Sequence, residues 1–379
     1  MPERPAPLVL VVDPSQAAAD APFGSYAAVA ATGQRLLAGE LSARLGALGA
    51  AVAPLVPERF PDGGGFHWGR WYAAAARSAL GEAAGAVDAI GYAGAGALAL
   101  VCDEALDDLL SPVTGEVVGN NRFSADAFVV AGDLDGALAA LEGCPTDNAA
   151  VRALEEAGFR ARDLGAQRWS RFDVDTPLDL ALLRLAATLS DGRRASEAVM
   201  RFLAMAQLPG GRGLGVPHLD ALGTVVRDRS AELVVAGRVP SATLAFLETE
   251  TACRVRSFVE ERGMRSARGI GQPRSLLASL MARSSPAELI AELTALGDGV
   301  VLDSRVLMAA RAGSADASAW PPEEERFASD FGDHARVATP WLNELTRAAA
   351  QASVPVVLGG HALVSDGLRI LVGAAWLGH

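Results

Sequence analysis

The chain of 379 residues contains no lysine, so all 33 of its Lys and Arg positions are arginine. That excludes a Schiff-base lysine and any phosphate loop built on one, leaving arginine, backbone N–H groups and metal ions to hold phosphate. Cysteine is nearly as scarce. Cys102, Cys144 and Cys253 are odd in number and form no CxxC pair, which excludes a disulfide framework and makes a reducing cytoplasm the expected compartment. No apolar run approaches membrane-spanning length, and the opening "MPERPAPLVLVVD" ends its apolar run at Asp13 without a cleavage-like segment, so no membrane is expected as partner. HExxH and GxSxG are missing, which leaves a zinc protease or an ordinary α/β-hydrolase unsupported. With a formal net charge of −12, nucleic acid is excluded as a partner held by bulk electrostatics.

What is present is apolar: half the residues are hydrophobic, enough for a sizeable core, and the length suits two domains. The first half alternates short apolar runs with longer helical patterns. "PLVLVVD", "AVAPLV", "VDAIGYAGAGALAL", "EVVGN" and "AFVVAG" read as strands, separated by helices such as "GQRLLAGELSARLGALGA" and "GRWYAAAARSALGEAAG". Crossovers of that length imply a mostly parallel sheet with flanking helices. Polar "LSDGRRASE" sets the expected border, giving domains 1–190 and 191–379. The second, expected to be a smaller α/β domain, offers three strands, "AELVVAGR", "GVVLDSR" and "VPVVLGGH", each ending in a polar or charged residue. Such carboxyl ends carry the ligand crevice of open α/β sheets.

In "WSRFDVDTPLDLALLRL", Thr176 suits a helix N-cap, Pro177 the first helical position and Asp179 the third. Upstream, Asp173 and Asp175 alternate along an expected strand, on the face opposite Phe172 and Val174. "FDVDTPLDL" resembles the "DIDTPEDL" element of nucleotidyltransferases with a GT-A-like Rossmann fold, the group containing molybdenum-cofactor and phospholactate guanylyltransferases. The resemblance covers roughly the first 190 residues, and "VVGNNRFSADAFVVAG" is similar to the pocket-lining middle of such domains. It implies a mixed, mostly parallel sheet, a nucleotide or other small anionic ligand, and a magnesium or manganese ion. Two departures accompany it. The segment "VVDPSQAAADAPFGSYAAVAATGQR" has one glycine before Tyr26 and no cation before Arg35, where the family has a Gly-rich phosphate loop. After the central strand, "YAGAGALAL" offers no metal-binding carboxylate, although its small residues would let a ligand approach the backbone. The metal role then falls to Asp13, Asp173 and Asp175, with Asp126, Asp173 and Asp175 as catalytic carboxylates.

Within "GNNRFSAD", Asn120, Asn121 and Ser124 suit a sugar or base edge and Arg122 a phosphate, and the same residues also suit a polar turn. In the second half, Arg238 and Ser241 stand between a strand and an expected helix reaching Gly263, whose Leu244, Leu247, Thr251, Val255 and Phe258 share a face. Glu250 with Arg254, and Arg256 with Glu260, would be surface pairs on that helix. Arg305 and His361 follow the next two strands, near the acidic candidates Asp303, Asp330 and Asp333 and the imidazole of His334.

Three readings follow. If the chain is an enzyme, the resemblance implies nucleotidyl transfer to a phosphorylated or sugar-like small molecule. A second reading is a non-catalytic binding protein with a degenerate nucleotide site, and a third places metal-assisted or acid–base hydrolysis in the second domain. A homo-oligomer is compatible with all three.

Overall fold

The computed structural model describes residues 5–57, 66–83, 87–164, 169–189, 195–263 and 273–377. The chain divides into two compact units, one of residues 1–21, 31–175 and 193–200, the other of residues 22–30, 176–192 and 201–379. The division near the middle of the chain thus falls between Asp175 and Thr176, ahead of residue 190. Its physical reason is the helix Pro177–Ala186, whose Leu178 and Leu182 lie against Gly359 and Gly367 of the second unit.

The first unit is built on a six-stranded sheet of β1 (Leu8–Val12), β2 (Ala51–Leu55), β3 (Ala89–Ala93), β4 (Glu116–Gly119), β5 (Ala127–Ala131) and β6 (Arg160–Asp163), in the order β2-β1-β3-β5-β4-β6. β1 pairs in parallel with β2 and β3, and β4 with β6, while β5 runs antiparallel to both its neighbours. The carboxyl ends of β1, β3 and β4 therefore meet the amino end of β5 along one edge. β3 and β5 are wholly buried, as their continuous apolar sequences require when helices cover both faces. Trp68 stacks on Tyr72 at 5.1 Å, and Tyr92 and Phe128 meet that pair edge-on, so one face carries an aromatic cluster within a core that is otherwise largely aliphatic. Each such ring contributes about 2–3 kcal/mol.

In the second unit, β7 (Gln207–Leu208) and β8 (Arg212–Gly213) form a small hairpin turned by Gly210 and Gly211, both at positive φ. The main sheet joins β9 (Glu232–Gly237), β10 (Arg254–Val259), β11 (Gly299–Asp303) and β12 (Val356–Gly359) in the order β10-β9-β11-β12, all parallel. Both units are α/β.

β10 corrects the sequence expectation. The helix that begins at Ser241 ends at Glu250, and residues expected to continue it form an edge strand. The i,i+4 pairs consequently do not form: Arg256 instead reaches Glu232 on β9 at 2.7 Å. An edge strand buries little, so "RVRSFV" carries no clean alternation, and its apolar spacing imitates a helical face.

Candidate functional site

At the sheet edge of the first unit, Asn120 is fully engaged. Its Oδ1 accepts from the backbone N–H of Asp126 and Ala127 (2.9 and 3.1 Å), and its Nδ2 donates to Asp126 Oδ2 and the Ser170 carbonyl (both 3.1 Å). Asn121 is buried and accepts from Phe123 N–H, while Ser124 Oγ bonds to Asn148. Arg122 is exposed and directs its guanidinium to Glu155, with Nε–Oε2 at 3.0 Å. The structure thus gathers Asn120, Asn121, Ser124 and Asp126 into a locked turn, and it turns Arg122 to a surface partner.

Asp173 and Asp175 lie on an irregular extended segment instead of a strand. The alternation holds: Phe172 and Val174 are buried, whereas Asp173 is half-buried and Asp175 exposed. Val174 is fixed by Gln34 Nε2, which donates to its carbonyl at 2.9 Å, and its N–H approaches the Gly96 carbonyl at 3.3 Å. A Cβ on Gly96 would stand 2.2 Å from the Val174 carbonyl oxygen. Of the small residues expected to let a ligand approach, Gly96 instead admits the chain's own backbone.

Asp13 caps the turn after β1, accepting from Ser15, and borders a cleft of about 380 Å³ shared with Arg35 and Ser42. Among the described residues no three His, Cys, Asp or Glu side chains come together to hold a metal ion. Asp13, Asp173 and Asp175 accordingly do not make a three-carboxylate centre; magnesium or manganese would need only one or two of them together with a ligand's phosphate oxygens. A pair that sequence reasoning missed is Tyr92 and Asp147, with Tyr92 Oη donating to Asp147 Oδ2 at 3.1 Å. Burial pushes the Asp147 carboxyl up, partly offset by that hydrogen bond. Nothing local in "PTDNAA" announces the contact.

The second unit concentrates its charge at the carboxyl edge of the parallel sheet. β9 connects to β10 on one side and β11 lies on the other, so the gap between the ends of β9 and β11 is the topological switch point, where α/β sheets bind ligands. Gly237 ends β9 at φ +129°, and a Cβ there would stand 2.3 Å from the Asp303 Cβ. This permits Arg238 to fold back on Asp303: Nε–Oδ2 is 2.6 Å, NH2–Oδ1 is 3.2 Å, and the Arg238 N–H also points to Oδ2 at 3.3 Å. Asp303 is wholly buried. Burial would raise its carboxyl, yet Arg238, followed by His361 and Arg305, outweighs that and holds it below the ordinary range.

Arg305, also buried, forms a bidentate pair with Asp330 (2.5 and 2.6 Å) and touches Ser304 Oγ at 3.1 Å. Burial opposes its charge, and Asp330 restores it and holds the guanidinium firmly cationic. His361, just beyond β12, places Nδ1 3.1 Å from the Arg238 carbonyl. A carbonyl only accepts, so the partner assigns the proton to Nδ1 and leaves the lone pair on Nε2. Burial first, then Arg238 and Arg262, lowers the His361 pKa to about 4, with Asp303 opposing. The ring is neutral near pH 7.

Arg238, Arg305 and His361 therefore converge as expected, with Asp303 and Asp330 as their partners. Ser241 is exposed at the first residue of its helix and makes no side-chain cap. Asp333 belongs elsewhere: it accepts from Tyr26 Oη (3.0 Å) and Arg212 (2.8 Å), and His334 opens a short turn beside it. Arg262, missed because it was counted into a surface helix, acts on His361 through its charge.

No family model and no curated protein matches the chain. Among solved structures that match is a crystal structure described as a "putative nucleotide-diphospho-sugar transferase" from Desulfovibrio desulfuricans G20, with TM-score 0.38 and 15% identity over 53% of this chain and 95% of that one. A likeness at that score carries no argument about activity. Among the described residues no helix is long and apolar enough to cross a membrane.

Proposed function

We propose that the chain binds a small anionic metabolite, phosphorylated or sugar-like, at the carboxyl edge of the four-stranded sheet. The observation that carries this reading is the meeting of Arg238, Asp303, Arg305 and neutral His361 at the switch point between β9 and β11. Asp303 and Asp330 balance Arg238 and Arg305 one for one, so attraction for an anion rests on the guanidinium N–H groups and on the first N–H groups of the helix opening at Ser241, beside Arg238. The test is calorimetric titration of the full chain with inorganic phosphate and pyrophosphate, in native protein and Arg262→Gln. Saturable binding weakened about tenfold by the substitution supports the site; equal binding by both proteins removes it.

A second reading keeps a nucleotide-like ligand in the first unit, favoured by the gathering of Asp13, Asn120, Asp126 and the Val174 segment at one sheet edge. Its nucleotidyltransferase-like form acts on a phosphorylated or sugar-like small molecule, and its non-catalytic form only binds. Thermal shifts with nucleoside triphosphates, with and without magnesium or manganese, separate the two: the first requires a metal-dependent shift that Asp126→Asn abolishes.

A further inference from the structure

A cleft of about 650 Å³ lies in the second unit between two neighbouring helices, Leu276–Arg283 and Arg305–Ala312. It is separate from the crevice at the ends of β9 and β11, because Arg238, Asp303 and His361 do not line it. Two cations do: Arg274, just ahead of the first helix, and Arg311, in the last turn of the second. Neither meets a carboxylate among the described residues. The Arg311 guanidinium lies over the Trp341 ring, 5.1 Å from its centroid, a contact that orients the charge without neutralising it. The carboxylate in the lining, Glu260, is committed elsewhere: it accepts from Ser275 Oγ at 2.7 Å and from the Leu277 N–H at 3.1 Å. Glu260 therefore closes the start of the first helix with the chain's own anion and leaves the two arginines unbalanced.

Between the charges the lining is hydrocarbon, from Leu276, Ala278 and Ala282 on one helix and Ala310 on the other. Leu276 is 64% exposed, since Leu277 and Met281 take the core-facing side of its helix. We propose that this cleft is a second binding site, for an organic anion with an apolar body, such as a medium-chain carboxylate. Its head group would balance the arginines and its body would cover Leu276 and the alanines, in a volume that suits a small molecule. At the switch point each arginine already has its aspartate, whereas here the charge itself is left over.

The test is calorimetric titration of the full chain with octanoate, kept below the concentration at which it forms micelles, and with acetate, which carries the same charge without the body. Octanoate should bind saturably and at least about tenfold more tightly than acetate. Arg274→Gln and Leu276→Gln, both at exposed positions, should each weaken octanoate about fivefold, the first through charge and the second through lost apolar cover. His361→Gln, in the other crevice, should leave octanoate binding as it was. Uptake that does not saturate, or that both cleft variants leave unaltered, would overturn the proposal. So would a loss in His361→Gln as large as that in Arg274→Gln, which would move octanoate to the switch point.

Discussion

Acidification should destabilise the protein through one imidazole, and the size of the effect follows from the structure. His361 titrates near 6.5 when unfolded and at about 4 in the fold, because burial and then Arg238 and Arg262 disfavour its charged form. At about 1.4 kcal/mol per pKa unit, that difference corresponds to about 3 kcal/mol. Between those pH values the unfolded chain binds more protons, so stability falls as pH falls. The contribution is fully present above 6.5 and exhausted near 4. Asp303, depressed below its ordinary 3.8, yields only at still lower pH, and Asp147, raised by burial, works in the opposite sense. The readout is therefore the difference between native protein and His361→Gln in urea unfolding followed by tryptophan fluorescence. The native protein should lose most of about 3 kcal/mol relative to the variant between about pH 7.5 and about pH 4.5. Parallel curves across that range would refute the argument.

Gly237→Ala should cost about 3 kcal/mol, since it combines strain at positive φ with a Cβ driven into Asp303, and thermal unfolding measures the loss. Gly96→Ala should cost a similar ~2–3 kcal/mol in the first unit, where a methyl would strike the Val174 carbonyl; hydrogen exchange near Val174 would locate the damage. Arg305→Met alone should destabilise by about 3–5 kcal/mol by stranding Asp330, while Arg305→Met with Asp330→Leu should recover much of it in denaturant titration. Thr176→Ala should cost only about 1 kcal/mol, the worth of one capping side chain, as read from the urea midpoint.

Much of the fold was legible because its signals are local. β1, β9, β11 and β12 announce themselves as short apolar runs closed by a carboxylate or glycine, and the helix at Pro177 by a complete capping box between Thr176 and Asp179. β10 was illegible because an edge strand leaves its polar and apolar residues similarly exposed, so its pattern fits a helix as well. In the candidate site, Arg238, Arg305 and His361 could be named from their positions after strands. Which carboxylate each arginine would meet could not. The pairing of Arg305 with Asp330 spans 25 residues, and that of Arg238 with Asp303 spans 65. Gly96 misled for the same reason: a missing side chain records that something comes close and is silent about what.

The absent methyl at Gly237 also bears on how fast a ligand can be captured. The Asp303 side chain packs directly on that backbone and is tied to Arg238 by three hydrogen bonds, which joins the tips of β9 and β11. On the proposed anion-binding reading, a wall joined in this way would need little rearrangement when occupied. Differences in affinity among related ligands should then lie in how long each stays, and scarcely in how quickly each arrives.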